Sequence, residues 1–162
     1  MKVEFQELEN ILNKQIEIYE GIEAFMLAKK ECLIKGNMEE LKKVDIEIEK
    51  LSIVINKIEE KRKEINKKFG NENISLKEVL EKMENVDQIQ CISLLGKKLK
   101  EKILKIQTLN SINKNLIEHG LKMVEHSISL IANALVPESV SYGSTGKLIN
   151  KTSEISSVQH EA

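Results

Sequence analysis

Apolar residues in the first stretch of the chain return every three or four positions: Phe5, Leu8, Leu12, Tyr19, Ile22, Met26 and Leu33, with Ile11, Ile18, Phe25 and Cys32 beside them. These steps put both sets on one broad face of a helix, so the pattern predicts a helix over about 4–35. Gly36-Asn37 then breaks the period. Glycine suits a left-handed helix end, Asn37 can cap the next helix, and Glu40 supplies the third-residue partner of a weak capping box. A tight helical hairpin follows from this punctuation.

The second helix, over about 38–69, carries the cleanest period. Leu41, Val44, Ile48, Leu51, Ile55, Ile58, Arg62, Ile65 and Phe69 alternate steps of three and four without a break. A repeat of 3.5 holds such a seam against a partner when the helices supercoil left-handedly. Arg62 is its sole polar member, and its aliphatic stem can line the seam while the guanidinium reaches water or a carboxylate. Gly70 to Asn73 reads as a loop. Ser75 and Glu78 form a capping box in front of a short helix, about 75–84, with Leu76, Val79, Leu80 and Met83 on its apolar side.

Asp87 and Gln90 are read as the cap of the last helix, about 88–136, which no proline interrupts before Pro137. At 1.5 Å per residue it is roughly 70 Å long against roughly 48 Å for each hairpin arm. The last third of this helix is therefore expected to extend past the hairpin. On a helical wheel, Leu116, Ile117, Gly120, Leu121, Met123, Val124, Ser127, Ile128, Leu130, Ile131, Ala134 and Leu135 fill about half the circumference there. Glu118, His119, Lys122, Glu125, His126, Ser129 and Asn133 fill most of the rest. A two-helix seam uses a narrower stripe. Two uses remain open: burial between two neighbouring helices, or a groove for a partner's amphipathic helix.

The fold class that emerges is all-α: an elongated antiparallel helical bundle or coiled coil of three long helices and one short helix over 1–136. Composition agrees, with aromatics at 3%, charged residues at 31%, one Pro, seven Gly and no Trp. After Pro137 the chain turns rich in Ser and small polar residues, and 137–162 is expected to be a flexible tail. Its one apolar cluster is Val140 to Tyr142 with Leu148-Ile149, a candidate short docking motif.

Charge and chemistry narrow the function. The 25 basic and 26 acidic residues give a net charge of −1 and are interleaved, with Arg62 the only arginine. Nucleic-acid binding calls for a concentrated positive face, so no nucleic-acid partner is expected. Cys32 and Cys91 sit alone in helical patterns and read as small reduced core residues. No apolar run is long enough for membrane insertion, the N-terminus carries no secretion signal, and a cytoplasmic location is expected.

Catalytic motifs are absent. Gly143-Ser144-Thr145-Gly146-Lys147 has two residues between its glycines and Leu148 after the lysine, so it is no phosphate loop. His119 and His126 lie two helical turns apart, about 10 Å, too far to share one metal. No enzyme activity, cofactor or metal is expected.

These residues also carry a family resemblance. Asn113, Asn115, Leu116, Leu121, Val124, Ile128, Leu130 and Ile131, followed by Tyr142, Gly143 and Gly146, resemble the C-terminal half of FlgN-type chaperones. The stretch Glu31 to Asn37, then Leu41, Leu51, Ile58, Glu59 and Arg62, resembles the hairpin of the same family. The resemblance implies a cytoplasmic chaperone of the flagellar type III export system. Such a chaperone binds the C-terminal helical segments of hook–filament junction proteins, prevents premature assembly and delivers them to the export gate. It also implies that the tail tyrosine, here Tyr142, docks to the gate's cytoplasmic domain. For client binding, the wheel points to Leu116, Leu121, Met123, Val124, Ile128, Leu130 and Ile131. The rival reading is a structural coiled-coil homo-oligomer or adaptor, in which the same arc closes on other copies of the chain.

Overall fold

The computed structural model describes residues 2–135 and the backbone of residues 140–142 and 148–150. Among the described residues four helices follow in order: α1 (Lys2–Lys35), α2 (Met38–Phe69), α3 (Leu76–Glu81) and α4 (Val86–Leu135). Two short strands, β1 (Val140–Tyr142) and β2 (Leu148–Asn150), pair antiparallel with Val140 opposite Asn150 and Tyr142 opposite Leu148. The helical pattern gave no hint of this pair, because three β-capable residues on each side are too few to register as alternation. The chain forms two compact units, Met1–Lys114 and Asn115–Ala162, and α4 contributes residues to both.

Local chemistry explains the helix ends. Gly36 has φ +68°, and the N–H of Asn37 donates to the Cys32 carbonyl at 3.0 Å, which closes α1 in a left-handed cap. The Asn37 side chain accepts from the Glu40 N–H at 3.2 Å and starts α2. In front of α3 the capping box is complete: Ser75 Oγ accepts from the Glu78 N–H, and Glu78 accepts from the Ser75 N–H at 2.8 Å.

The start of α4 corrects the expected cap. Asn85, not Asp87, holds the first turn, its Oδ1 accepting from the N–H groups of Asp87 at 3.0 Å and Gln88 at 3.2 Å. Asn85 is the better cap because its position leaves Asp87 inside the first turn, where its charge meets the positive end of the helix dipole.

In the first unit, α2 runs antiparallel to α1, as the pairs Lys68–Glu7 and Lys29–Asp45 show. The opening part of α4 runs parallel to α1, with Cys91 beside Glu9, Lys102 bonded to Glu23 and Asn113 bonded to Met26. Phe5, Leu8, Leu12 and Ile16 meet Ile65 and Phe69 of α2, Val79 of α3, and Ile92 and Leu99 of α4 in the main core. Leu8 and Ile92 are fully buried, which is worth about 1.5–3 kcal/mol for each side chain. A smaller cluster of Ile22, Met26 and Ile55 lies further along the hairpin. The predicted seam of α2 is the face that packs: Val44, Ile55, Ile65 and Phe69 are buried and the intervening seam positions are half-buried.

Side chains of α3 pack on α4 within the main core. The end of the Leu76 side chain occupies the space that a Cβ on Gly96 would take, so a larger residue there would make Leu76 move. Both cysteines are free, Cys32 buried and Cys91 half-buried. Burial, and then the carboxylate of Glu9, push the Cys91 thiol above its usual range.

Candidate functional site

Two places merit comparison, and each lies within one unit. In the first unit, Glu23 and Leu27 of α1 and Leu104, Lys105, Thr108 and Leu109 of α4 line an open groove of about 380 Å³. Its rim is occupied by its own ion pairs, Lys102 to Glu23 at 2.7 Å and Lys105 to Glu23 at 3.9 Å. Charges that already satisfy each other leave little to recognise a ligand.

The second place is the stretch of α4 in the Asn115–Ala162 unit. Leu121, Met123, Val124, Ile128, Leu130 and Ile131 are exposed there, from 47% at Leu130 to 61% at Ile128, and Leu116 is half-buried. Ile117 and Leu135 extend the exposed patch at either end. Elsewhere the exposed apolar residues form smaller groups, such as Leu27 with Leu104 in the first groove or Ile53 with Val54, or stand singly, as Leu94 does, which is ordinary for a protein surface. Contiguity is what sets 116–135 apart. At roughly 100 Å² apiece these eight side chains exceed the few hundred Å² that a monomer usually leaves open.

The patch has an internal order. Ile117, Leu121, Val124, Ile128, Ile131 and Leu135 alternate steps of four and three, the repeat by which one helix meets another. Leu116, Met123 and Leu130 form a second ridge at seven-residue spacing. Glu118, His119, Lys122, Glu125 and His126 are exposed on the remaining circumference. The Ser127 hydroxyl donates to the Met123 carbonyl at 2.9 Å, so even the polar residue inside the arc turns its hydrogen bond back on its own helix.

Sequence reasoning overlooked the buried polar residues. Gln15 is fully buried, and its Nε2 donates to Glu59 Oε1 at 2.6 Å. Glu59 also pairs with Arg62 at 3.2 Å. Burial, followed by the Glu59 charge, raises the pKa of the half-buried Tyr19. Asn113 is 1% exposed and donates to the Met26 carbonyl at 3.0 Å. The signal was present: Gln15 sits between Leu12 and Tyr19 on the seam of α1, and Asn113 follows Ile92, Leu99 and Ile106 at seven-residue steps.

Tyr142 lies on β1, but its side chain falls outside the described residues, as does the segment Gly143 to Lys147. Among the described residues, no group of three or more His, Cys, Asp or Glu is placed to hold a metal ion. No helix among them is long and apolar enough to cross a membrane.

Comparison with known families gives one finding with broad coverage: the model described as FlgN protein matches residues 1–149. Neither the curated proteins nor the solved structures yield a match.

Proposed function

The chain belongs to the FlgN family of flagellar export chaperones, and on that premise we propose that it binds the C-terminal helical segments of hook–filament junction proteins along the exposed arc of α4. The residues we assign to the client are Leu116, Leu121, Met123, Val124, Ile128, Leu130 and Ile131. One observation carries the reading: a contiguous apolar half-face, with six of those seven side chains exposed.

The physical logic is that of helix in groove. A junction-protein terminus that pairs with its own kind during assembly must present an apolar stripe. Covering that stripe returns about 25 cal/mol per Å² buried, offset in part by the cost of ordering the segment. The bound client is held back from premature assembly because its pairing surface is occupied. Delivery then takes place at the export gate, with Tyr142 as the docking residue, and competition from the gate releases the client without chemistry on the chaperone. This action is placed in the cytoplasm.

The test is co-purification of the full chain with the C-terminal segments of both junction proteins, followed by light scattering across a concentration series. A defined complex with either segment supports the reading. A stable homo-oligomer that ignores both segments supports the rival, in which the arc closes on copies of itself.

A further inference from the structure

The seams of α1 and α2 are each interrupted once, and the two interruptions meet. Phe5, Leu8, Leu12, Gln15, Tyr19, Ile22 and Met26 alternate steps of three and four along α1, and only Gln15 is neither apolar nor aromatic. On α2 the series from Leu41 to Phe69 is broken only by Arg62. Glu59 joins the two residues. Its Oε1 accepts from Gln15 Nε2 at 2.6 Å, and its Oε2 pairs with Arg62 at 3.2 Å. Gln15 is fully buried, whereas the side chains of Glu59 and Arg62 are 27% and 34% exposed. The charges therefore keep part of their hydration while the amide is enclosed.

We propose that this layer is a pairing lock: it holds α1 and α2 to each other in one register and keeps their seams from pairing with a second copy of the chain. A repeat of 3.5 fixes which residues face a partner but not which partner it is. The Gly36-Asn37 turn aligns neighbours within one chain and does nothing to stop α2 from meeting α2 of another copy. In a parallel pair of that kind Arg62 meets Arg62, and two guanidinium groups come together in a closing seam. A slip of one heptad sets Arg62 against Leu8 or Ile22 in place of Gln15. Either rearrangement takes Glu59 away from Gln15, and burial of that amide is then uncompensated.

Stability alone does not account for the layer. Among the described residues Gln15 Oε1 and Arg62 Nε are buried without a hydrogen-bond partner, so the layer is incompletely satisfied. Apolar side chains of similar volume would hold the two helices at least as firmly. What the polar residues add is discrimination, as a single buried polar position does when it sets register and oligomer state in a coiled coil. The lock lies within the first unit and is independent of the client reading.

The experiment makes both seams wholly apolar in the full chain, with Gln15→Leu, Glu59→Leu and Arg62→Met together. The urea midpoint is expected at or above that of the parent. The mean mass from light scattering is expected to rise with concentration to at least about twice the parent's, and amide NMR to show more than one set of signals for α1 and α2. Association through the arc of α4 is common to parent and variant, so it does not enter the comparison. Asn113→Leu removes a buried amide outside the layer and is expected to keep the parent's mass. Should the triple variant lose its helix content, Glu59→Gln with Arg62→Met decides instead. That pair leaves Gln15 a hydrogen-bond partner while removing the charge that opposes α2 pairing, and a mass above the parent's is expected. The parent's mass in the folded variant, with one set of amide signals, overturns the lock. An equal gain of mass in Asn113→Leu overturns it too.

Discussion

Removing two side chains from the exposed arc of α4 should separate recognition from stability. Leu121 is 58% exposed and Ile128 is 61% exposed, one heptad apart on the same ridge. Each has roughly 100 Å² of apolar surface to lose to a bound helix, of which truncation to Ala removes about 60 Å², or about 1.5 kcal/mol at 25 cal/mol per Å². The pair Leu121→Ala and Ile128→Ala should therefore cost about 3 kcal/mol of binding, close to a hundredfold in Kd. Neither side chain is in either core cluster, so the unfolding free energy should change by only about 0.5 kcal/mol per site. Titration calorimetry with the client segment reads the first quantity, and urea unfolding followed by circular dichroism reads the second. An affinity within threefold of the parent would refute the assignment of the arc to the client. A stability loss as large as that of a core truncation would show that the arc is already packed.

The remaining expectations concern the core, the polar layer and the tail. Leu8→Ala or Ile92→Ala, at fully buried positions, should each destabilise by about 2–5 kcal/mol in urea unfolding. Glu59→Ala leaves Gln15 and Arg62 without their shared partner and should cost about 1–3 kcal/mol, whereas Gln15→Leu, Glu59→Leu and Arg62→Met combined should recover most of it. Tyr19 has a raised pKa, from burial first and Glu59 second, so its neutral form is favoured by folding. That contribution is complete below the ordinary tyrosine range and fades as pH rises through it. Ultraviolet titration of a Tyr142→Phe variant should accordingly show a late transition that Glu59→Gln brings earlier. Tyr142→Ala should weaken recruitment to the export gate while leaving client affinity within twofold in calorimetry. Unchanged recruitment would count against the docking role.

Much of the helical layout was legible because the information that sets it is local. Gly36-Asn37 and Ser75 with Glu78 mark their helix ends through bonds spanning three to five residues, and a reader of the sequence sees all the partners. The cap of α4 was misplaced by two residues because Asn85 and Asp87 are both good caps, and which one serves depends on where the turn after α3 ends. The seam of α2 was readable for a related reason: a 3.5 repeat fixes which residues share a face whatever lies against it.

The sequence by itself determined the helices, most of their caps and the apolar face of each, since these depend on spacing and on bonds between near neighbours. It also placed the wide arc over 116–135, but not whether that arc is covered. Periodicity records that a face is apolar and is silent about what packs on it. Only the tertiary structure decided that Gln15 and Asn113 are buried, that Gly96 is the bare spot under Leu76, and that Leu121, Val124 and Ile128 remain exposed. Those outcomes depend on residues tens of positions apart meeting in space, which no local pattern encodes.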